Sequence, residues 1–576
     1  MALLRSTHPA FAQSRRLPNR WDLAALLCVF GALVALAQAV RGTLAPIDAP
    51  EAVTIHLDAV YLPYYALRTT LRMFAALAAS LLFTLVYAAG AAKSRRAALV
   101  MVPALDILQS VPILGFLTFT VVFFMNLFPG RVLGLELAAI FAIFTSQAWN
   151  MAFSLYQSLI TVPAELREAA RCFQLSAWQR FWRLEVPFGT PGLVWNTMMS
   201  MSGGWFFVVA AEAVSVGDQT WKLPGIGSYV AQALEARDIR AVCYAIMAML
   251  AVILAYDQLL FRPLVAWSAK FRFEDVPTVG PPEPWLLRLM RRTRLLRQGG
   301  EAFGQALTAF GGMRLAGQPR WVASRAGNSR LGDIAFSAVL LGVVGLAVWQ
   351  IVAMIATSLG WADLLEALGL GCITLLRVSV LMALASLIWV PVGVWLGLRP
   401  VWARRAQPVA QFAAAFPANL LFPPAVLFIV YFQLNPDIWL SPLMILGTQW
   451  YILFNVIAGA SVMPPDLIWA AGNFRVGGWL WWKRVMLPGI FPYYVTGAIT
   501  ASGGSWNAAI VSEVASWGDT KLTAHGLGAY IAQATADGDM TKVVLGVAVM
   551  CGFVLLVNRM LWRPLHAYGV RRFTFD

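Results

Sequence analysis

The sequence predicts an all-α polytopic membrane protein with about 12 transmembrane helices, arranged as two fused six-helix repeats. Of its 576 residues, 60% are hydrophobic and 12% are charged. Apolar runs of about 20 residues, long enough to cross the hydrocarbon core of a bilayer, recur along the whole chain. A transmembrane β-barrel would instead show short segments of alternating hydrophobicity. These observations favour a helical membrane protein.

An internal duplication with an offset of 301 residues relates the two halves of the chain. Two polar interruptions between apolar runs, Pro163–Pro187 and Pro464–Pro488, begin and end at matching prolines. Other pairs at this offset are Phe173 and Phe474, Trp205 and Trp506, Glu212 and Glu513, Gly225 and Gly526, Gly227 and Gly528, and Arg262 and Arg563. Such self-similarity indicates two copies of one unit. We assign residues 1–263 to the first repeat, 264–330 to a linker and 331–576 to the second repeat.

Apolar segments predict the helices of each repeat in order. In the first repeat they cover residues 21–40, 64–90, 99–127, 135–160, 190–211 and 239–261. In the second they cover 333–357, 370–397, 408–432, 438–460, 490–512 and 541–562. The first run is long for the apolar part of a signal peptide, so we expect an uncleaved helix.

The net charge of +15 indicates membrane topology and not a nucleic-acid partner. Lys and Arg concentrate in short loops on one predicted side, as the positive-inside rule requires. The loop at 42–62 contains Asp48, Glu51 and Asp58 but neither Lys nor Arg. We therefore predict that this loop lies outside the cell and that both termini are cytoplasmic.

The linker at 264–330 is basic and is expected on the cytoplasmic side. Its stretch Trp285–Arg297 places Leu and Met on one flank and Arg on the other. This pattern is typical of a helix that lies among lipid headgroups. The alternative is a solvated basic connection or one that contacts a partner subunit.

The polar interruption in each repeat is predicted to contain a short helix. In the first repeat this helix runs from Ala164 to Phe173, with Glu165 and Glu168 in its first turns. Carboxylates there suit the positive end of the helix dipole. Two such elements would project from the membrane as a matched pair, which suggests a partner with two equivalent clefts.

The segment Glu168-Ala169-Ala170, with Pro187 nineteen residues after the glutamate, resembles the EAA loop of ABC importer permeases. More narrowly, the chain is similar to the nitrate/sulfonate/taurine group and its duplicated anion-transport permeases. The resemblance implies a type I ABC importer-like fold in the bacterial inner membrane and a small, polar, anionic solute. It also implies two separate ATP-binding cassette subunits and a periplasmic substrate-binding protein. The residues that it assigns to ATPase coupling are Glu168, Ala169, Ala170, Arg171, Ala470, Ala471, Gly472 and Arg475.

Two departures from the family pattern predict unequal coupling by the two loops. The glycine that the family has six residues after the glutamate is Gln174 in the first copy and Arg475 in the second. The glutamate itself is Trp469 in the second copy. We therefore expect the first loop to be the more sensitive to substitution.

The chain contains no motif for catalysis or for binding ATP. No G-x-x-x-x-G-K-[ST] stretch occurs, so ATP and Mg²⁺ are expected on a partner subunit. The four histidines, at positions 8, 56, 525 and 566, are far apart, and no catalytic or metal-binding grouping includes them. We therefore predict a transport subunit that needs no metal or cofactor of its own and is not an enzyme.

Candidate residues of a translocation path fall into two groups. Ionisable side chains are rare inside the predicted helices, and such groups often mark transport pathways. These are Arg72, Arg377, Glu212 and Glu513. For the glutamates we prefer the structural alternative, a tie to the outer segment or an Arg–Glu pair. For the arginines both roles stay open. The second group lies on small-residue stretches that packing alone also explains: Ser202, Trp205, Ser502, Ser505, Trp506 and Asn507.

Two other functional classes compete with an importer permease. A secondary transporter also combines parallel six-helix repeats, but it would need more buried ionisable groups for ion coupling. A membrane scaffold or sensor is the second alternative. Co-purification of an ATPase would separate these hypotheses.

Overall fold

The computed structural model describes residues 54–110, 113–216, 219–271, 284–313, 359–461, 463–517 and 520–573, with isolated positions at 31 and between 338 and 357. The first predicted helix of each repeat, at 21–40 and 333–357, lies almost entirely outside the described residues. The described chain is helical apart from two short hairpins.

The first repeat consists of long helices joined by short elements. Its elements are α1 (Leu62–Lys93), α2 (Arg95–Ser110), α3 (Ile113–Leu127), α4 (Val132–Ile160), α5 (Ala164–Cys172), α6 (Ala177–Arg180), α7 (Val186–Glu212), β1 (Ala213–Val216), β2 (Gln219–Lys222), α8 (Ile226–Glu235), α9 (Ile239–Tyr256) and α10 (Arg262–Ser268). A π-helical turn at Phe181–Glu185 joins α6 to α7, and another at Asp257–Phe261 joins α9 to α10.

The linker contributes two helices and the second repeat the remainder. The linker helices are α11 (Trp285–Arg292) and α12 (Arg294–Gly312). The second repeat comprises α13 (Trp361–Gly397), α14 (Pro400–Ala415), α15 (Phe422–Tyr431), α16 (Pro436–Trp439), α17 (Gln449–Ser461), α18 (Pro465–Asn473), α19 (Gly478–Trp481), α20 (Leu487–Ser512), β3 (Val514–Trp517), β4 (Thr520–Thr523), α21 (Leu527–Ala536), α22 (Met540–Val557) and α23 (Arg563–Phe573).

The duplication holds at the level of single turns. The hairpins, the helices α8 and α21, and the helices α9 and α22 begin and end at positions 301 apart. Even the π-helical turns return at this offset, at Trp482–Met486 and Asn558–Trp562. One backbone plan is therefore built twice, and side-chain differences between the repeats are differences within a common frame.

The helical membrane class predicted from sequence is confirmed. Five helices in the described part of the chain are long and apolar enough to cross a membrane, or up to seven if each bent pair is one span. The count of twelve stays a prediction, since it includes helices outside the described residues.

The predicted third helix of the second repeat is wrong in detail, because it is broken. In the first repeat α2 and α3 cover the predicted span 99–127, apart from residues 111–112, which lie outside the described residues. In the second repeat α14 ends at Ala415 and the chain bends by 81° before it continues toward α15. The bend falls at Phe416-Pro417, where proline lacks an N–H and restricts the preceding residue. The predicted helix 438–460 is also bent, by 44°.

The two β-hairpins were not predicted. β1 pairs antiparallel with β2, with Val216 opposite Gln219, and β3 pairs with β4 in the same register. The sequence signal was the Gly217-Asp218 dipeptide between segments rich in Val, Thr and Trp, which is typical of a tight hairpin.

Close helix packing in the second repeat depends on small residues at the α13–α17 contact. A Cβ atom built on Gly397 would lie 2.6 Å from the Cβ of Ala460 and 2.8 Å from the carbonyl oxygen of Ile457. Gly369 on the same helix is exposed, with nothing within 4 Å of such a Cβ. The two glycines therefore provide a matched pair.

We predict that Gly397→Ala destabilises the protein by about 1–3 kcal/mol, because backbone must shift to admit the methyl group. Gly369→Ala should be neutral or stabilising by up to about 1 kcal/mol, as expected for alanine in a helix. Thermal unfolding midpoints of the two variants in detergent check this. Equal midpoints would show that α13 and α17 do not pack closely at Gly397.

Candidate functional site

A central cavity of about 130 Å³ lies where the two repeats meet. Its wall includes the middle of α7 and the middle of α20. Positions 301 apart line it together: Ser202 with Gly503, Gly203 with Gly504, Phe206 with Asn507 and Phe207 with Ala508. A cavity lined by equivalent positions lies on the pseudo-twofold axis of the duplication. It is large enough for several water molecules or a small solute.

The polar part of this wall is uncharged. Its hydroxyl and amide side chains belong to Gln109, Thr145, Ser146, Asn150, Ser200, Ser202, Thr448, Tyr451, Thr500 and Asn507, and no Lys, Arg, His, Asp or Glu occurs among the described residues that line it. The buried hydroxyl oxygens of Ser200 and Ser202 have no hydrogen-bond partner within the described part of the protein. An unmet buried hydroxyl is costly, so these two groups are suited to a polar occupant.

A second cavity of about 80 Å³ adjoins the first through Ser202, which lines both. Trp205 and Tyr256 belong to its wall, with their rings 5.8 Å apart in an edge-to-face contact. The only charged residues that the described chain places in this wall are Asp257 and Arg262, and they pair with each other at 3.0 Å.

Buried charges form a separate cluster in the first repeat. The guanidinium of Arg72 donates to both oxygens of Glu136, at 2.6 and 2.7 Å, and to Glu212 at 2.6 Å. Arg68 pairs with Glu136 as well, at 2.5 Å. Thr69 donates to Glu212 at 2.6 Å. This cluster joins α1, α4 and the end of α7.

The second repeat contains a similar cluster, in which Asp437 takes the place of Glu136 and Ile373 that of Arg68. Arg377 donates to Asp437 at 2.8 Å and to Glu513 at 3.2 Å, and Thr374 donates to Glu513 at 2.9 Å. The backbone N–H of His525 donates to Asp437 at 2.7 Å. The Asp437 side chain is 34% exposed, whereas that of Glu136 is 4% exposed. The second cluster is thus partly open to solvent.

The Gly-x-Gly segments fold around these carboxylates. The backbone N–H of Gly227 donates to Glu212 at 2.6 Å, and that of Ile226 donates to Thr69 at 3.0 Å. A Cβ atom on Gly225 would overlap the carboxylate of Glu212, and one on Gly526 would overlap that of Glu513. Glycine is therefore required where the chain after each hairpin crosses its glutamate.

The predicted short helices lie in both polar interruptions, as α5 and α18. Glu168, Ala169 and Arg171 are exposed on α5, whereas Ala170 is buried. Exposed aromatic rings accompany both helices, at Phe173 in the first repeat and at Trp469 and Phe474 in the second. Each helix thus presents a mixed polar and aromatic surface.

The departures from the glycine of the EAA pattern have a backbone counterpart. Gln174 has φ = 50° and Arg475 has φ = 51°, in the left-handed region that glycine adopts most easily. The N–H groups of Leu175 and Val476 then return to the carbonyls of Ala170 and Ala471, at 3.1 and 2.8 Å. Such a residue ends a helix sharply, which explains the glycine of the family pattern.

Comparison with known proteins identifies the family. The profile described as "Binding-protein-dependent transport system inner membrane component" matches residues 80–261 and again 389–562, which is well over half of the chain. The chain belongs to this family. The duplicated permease organisation predicted from sequence is therefore confirmed.

Relatives of this permease include two kinds of transporter subunit. The bicarbonate transport system permease protein of Synechococcus elongatus is 29% identical over 186 residues, which is 32% of this chain and 64% of that protein. Its counterpart in Synechocystis is 26% identical over 183 residues, or 32% and 62%. The nitrate import permease protein of Leptolyngbya laminosa is 23% identical over 195 residues, or 32% and 63%. The chain spans less than two thirds of the length of these relatives.

The structure of the permease separates the residues that were predicted together as a path. Ser202 and Asn507 line the central cavity, and Trp205 lines the second cavity. Ser505 instead ties α20 to Thr448 at 2.9 Å, and Trp506 stacks on Phe553. Ser502 is buried outside both cavities. Arg72, Arg377, Glu212 and Glu513 line neither cavity, because they are held in the charge clusters. A role of these four residues in a translocation path stays a prediction.

The structure also places other predicted site residues, whose roles stay predictions. Ala170 and Ala471, which were expected to meet a partner, are 5% and 6% exposed in this chain. Asn507 was expected to serve a ligand, yet its side-chain oxygen accepts the N–H of Ile113 at 2.6 Å. It thereby satisfies an N–H group at the start of α3, which has no partner within that helix.

Some residues of the site were missed by sequence reasoning. Glu136 and Asp437 had no assigned role, although they are 301 apart and each is a carboxylate near a predicted helix start. The offset of 301 relates these two carboxylates to each other but not the two arginines, since Arg72 and Arg377 are 305 positions apart. Within the described residues no group of three or more His, Cys, Asp or Glu side chains is placed to hold a metal ion.

We predict that Glu136→Gln destabilises the permease by about 3–5 kcal/mol, because the buried carboxylate that both Arg68 and Arg72 contact is lost. Asp437→Asn should cost about 1 kcal/mol or less, because solvent screens that carboxylate. Thermal midpoints and the yield of monodisperse protein measure both effects. Similar losses in the two variants would show that the clusters contribute equally despite their different exposure.

Proposed function

We propose that this chain is the membrane permease of an ATP-driven importer for a small anion and that its central cavity is part of the translocation path. The family supports the transport role. The observation that carries the proposal is that α7 and α20 present equivalent positions to one cavity on the pseudo-twofold axis. In alternating access, that is the place where two halves rock around a solute.

An anion in this path is met by hydroxyl and amide groups. Relatives of the permease are a bicarbonate and a nitrate permease by name, which supports a small oxyanion. Both arginines that sequence analysis considered for a fixed positive charge already contact two carboxylates each. Neutral donors such as Ser200 and Ser202 suit passage, because a solute that is bound weakly is also released readily.

The helices α5 and α18 are proposed to dock into two ATP-binding subunits, which hold ATP and Mg²⁺. Their exposed surfaces support this role, with Ala169, Glu168 and Arg171 in the first loop and Gly472, Arg475 and the half-buried Ala470 in the second. In this arrangement both termini and the linker are cytoplasmic. A binding protein delivers the solute to the opposite side, near the hairpins.

Gly503 offers a sharp test of the path. A Cβ atom at Gly503 would meet nothing within 4 Å, and this residue lines the cavity. Gly503→Leu should therefore fold normally but fill the cavity and abolish uptake. Uptake of labelled bicarbonate and nitrate, in cells that express the full transporter, measures the effect.

Gly552 on α22 is the matched control, because it is exposed and has nothing within 4 Å of a built Cβ. Gly552→Leu should transport like the unmodified protein. If Gly503→Leu transports equally well, the cavity is not the route of the solute. If an unmodified transporter takes up neither anion but takes up a cation or sugar, the substrate class is wrong.

The docking role has a separate test. Ala169 is exposed on α5, so Ala169→Arg leaves the packing of the loop intact but places a long side chain on the proposed ATPase surface. We expect the ATPase subunits to be lost on co-purification. Ala236→Arg, at an exposed alanine that ends α8, is the control and should keep them. Equal ATPase content in the two preparations would refute docking through α5.

A further inference from the structure

The segments that follow the two short helices α5 and α18 are covered unequally, although their backbones match. These segments are α6 and α19, each with the π-helical turn after it. In the first repeat the end of α12 packs against this segment. The Phe310 ring lies 5.0 Å from Trp178 and 5.3 Å from Trp182. Trp178 also donates its indole N–H to the carbonyl of Phe310 at 2.8 Å, and Gln179 donates to the carbonyl of Gly312 at 2.9 Å.

The matching surface of the second repeat is open. Trp479 and Leu480, which correspond to Trp178 and Gln179, are 73% and 52% exposed. Next to them a groove of about 840 Å³ runs between α13 and the start of α20. At the corresponding place in the first repeat, Phe181 is buried against Leu155 and Leu159. Phe181 corresponds to Trp482, which is half-buried and lines the groove.

The walls of this groove are almost entirely apolar. Leu387, Val390 and Pro391 come from α13, Leu487 and Phe491 from α20, and Trp482 from the π-helical turn before it. The hydroxyls of Ser386 and Tyr494 hydrogen-bond to each other at 2.9 Å. This pair does not require a polar ligand, so the wall is suited to hydrocarbon.

Positive charges lie at and beside the groove. Lys483 lines it directly. The guanidinium of Arg572 lies 5.7 Å from the ring of Tyr568, which also lines it. Within the described chain neither Lys483 nor Arg572 forms a salt bridge, and both are exposed. An apolar groove with two cations that form no salt bridge at and beside its wall matches an amphipathic anion.

We propose that this groove binds one anionic phospholipid, with its acyl chains between α13 and α20 and its phosphate between Lys483 and Arg572. The helix α13 is long and apolar enough to cross a membrane, and Leu384, Leu387 and Ile388 are exposed on it. The groove thus opens on a surface that faces lipid. Tryptophan and tyrosine beside basic residues are typical of the headgroup region.

Lipid retention tests the site independently of transport. The purified full chain is reconstituted in vesicles of equal phosphatidylglycerol and phosphatidylcholine, extracted into detergent and weighed by native mass spectrometry. Unmodified protein should retain one phosphatidylglycerol in preference to phosphatidylcholine. Lys483→Gln with Arg572→Gln should lower this retention by about tenfold or more, because two headgroup contacts are lost. Ala383→Trp, on the groove wall, should block the acyl chains with the cations intact.

Matched controls carry the same changes outside the groove. Arg484→Gln with Arg559→Gln removes two exposed charges, and Leu384→Trp adds a ring on the neighbouring exposed face of α13. Both should retain lipid, and all variants should elute as monodisperse protein. Equal retention in every variant would overturn the proposal. So would equal retention of the two lipids by unmodified protein, or displacement of the lipid by added ATPase subunits, which would make the groove a protein-docking surface.

Discussion

The contact on which the rest of the structure depends is the ion pair between a helix arginine and two carboxylates, Arg72 with Glu136 and Glu212. A charge inside a membrane protein is tolerated only if it is paired and its remaining hydrogen bonds are met. The Glu212 carboxylate meets this requirement with Arg72, Thr69 and the N–H of Gly227. Those partners come from α1 and α8, so one carboxylate fixes where the end of α7, the hairpin and the following helix lie.

The need to pair buried charges also separates the charge clusters from the central cavity. Arg72 and Arg377 each contact two carboxylates and line neither cavity, and the wall of the central cavity is neutral in the described structure. The second cluster differs, because Ile373 stands four residues before Arg377, where Arg68 stands before Arg72, and His525 stands at the position of Pro224. It is therefore held by one arginine and a solvent-exposed histidine contact. The two charge clusters therefore occupy equivalent places in the repeats but are held by different numbers and kinds of contacts.

Sequence reasoning could predict the internal duplication and the positions of individual helices. The 301-residue offset located both halves, and hydrophobic runs located α1, α4, α7 and α9 to within a few residues. It could not predict which buried charges pair, because Arg72 and Glu136 are 64 positions apart and only the fold brings them together. It also could not assign Asn507 to the start of α3, a contact across 394 positions and between repeats. Polarity on a helix face does not distinguish a ligand group from a packing group.

The unequal coverage of α6 and α19 arises from the linker, which lies outside the duplicated unit. The backbones of α6 and α19 match, yet only α6 is covered, because α12 belongs to the linker and occurs once in the described chain. Such a connection follows one repeat and precedes the other, so it has no symmetry mate in a fused pair. Its Phe310 can therefore lie against Trp178 but not simultaneously against Trp479, and the uncovered aromatic surface must meet lipid, solvent or a partner. Fusion of two repeats into one chain thus permits the two loops to diverge while the cavity between the repeats keeps its pseudo-twofold frame.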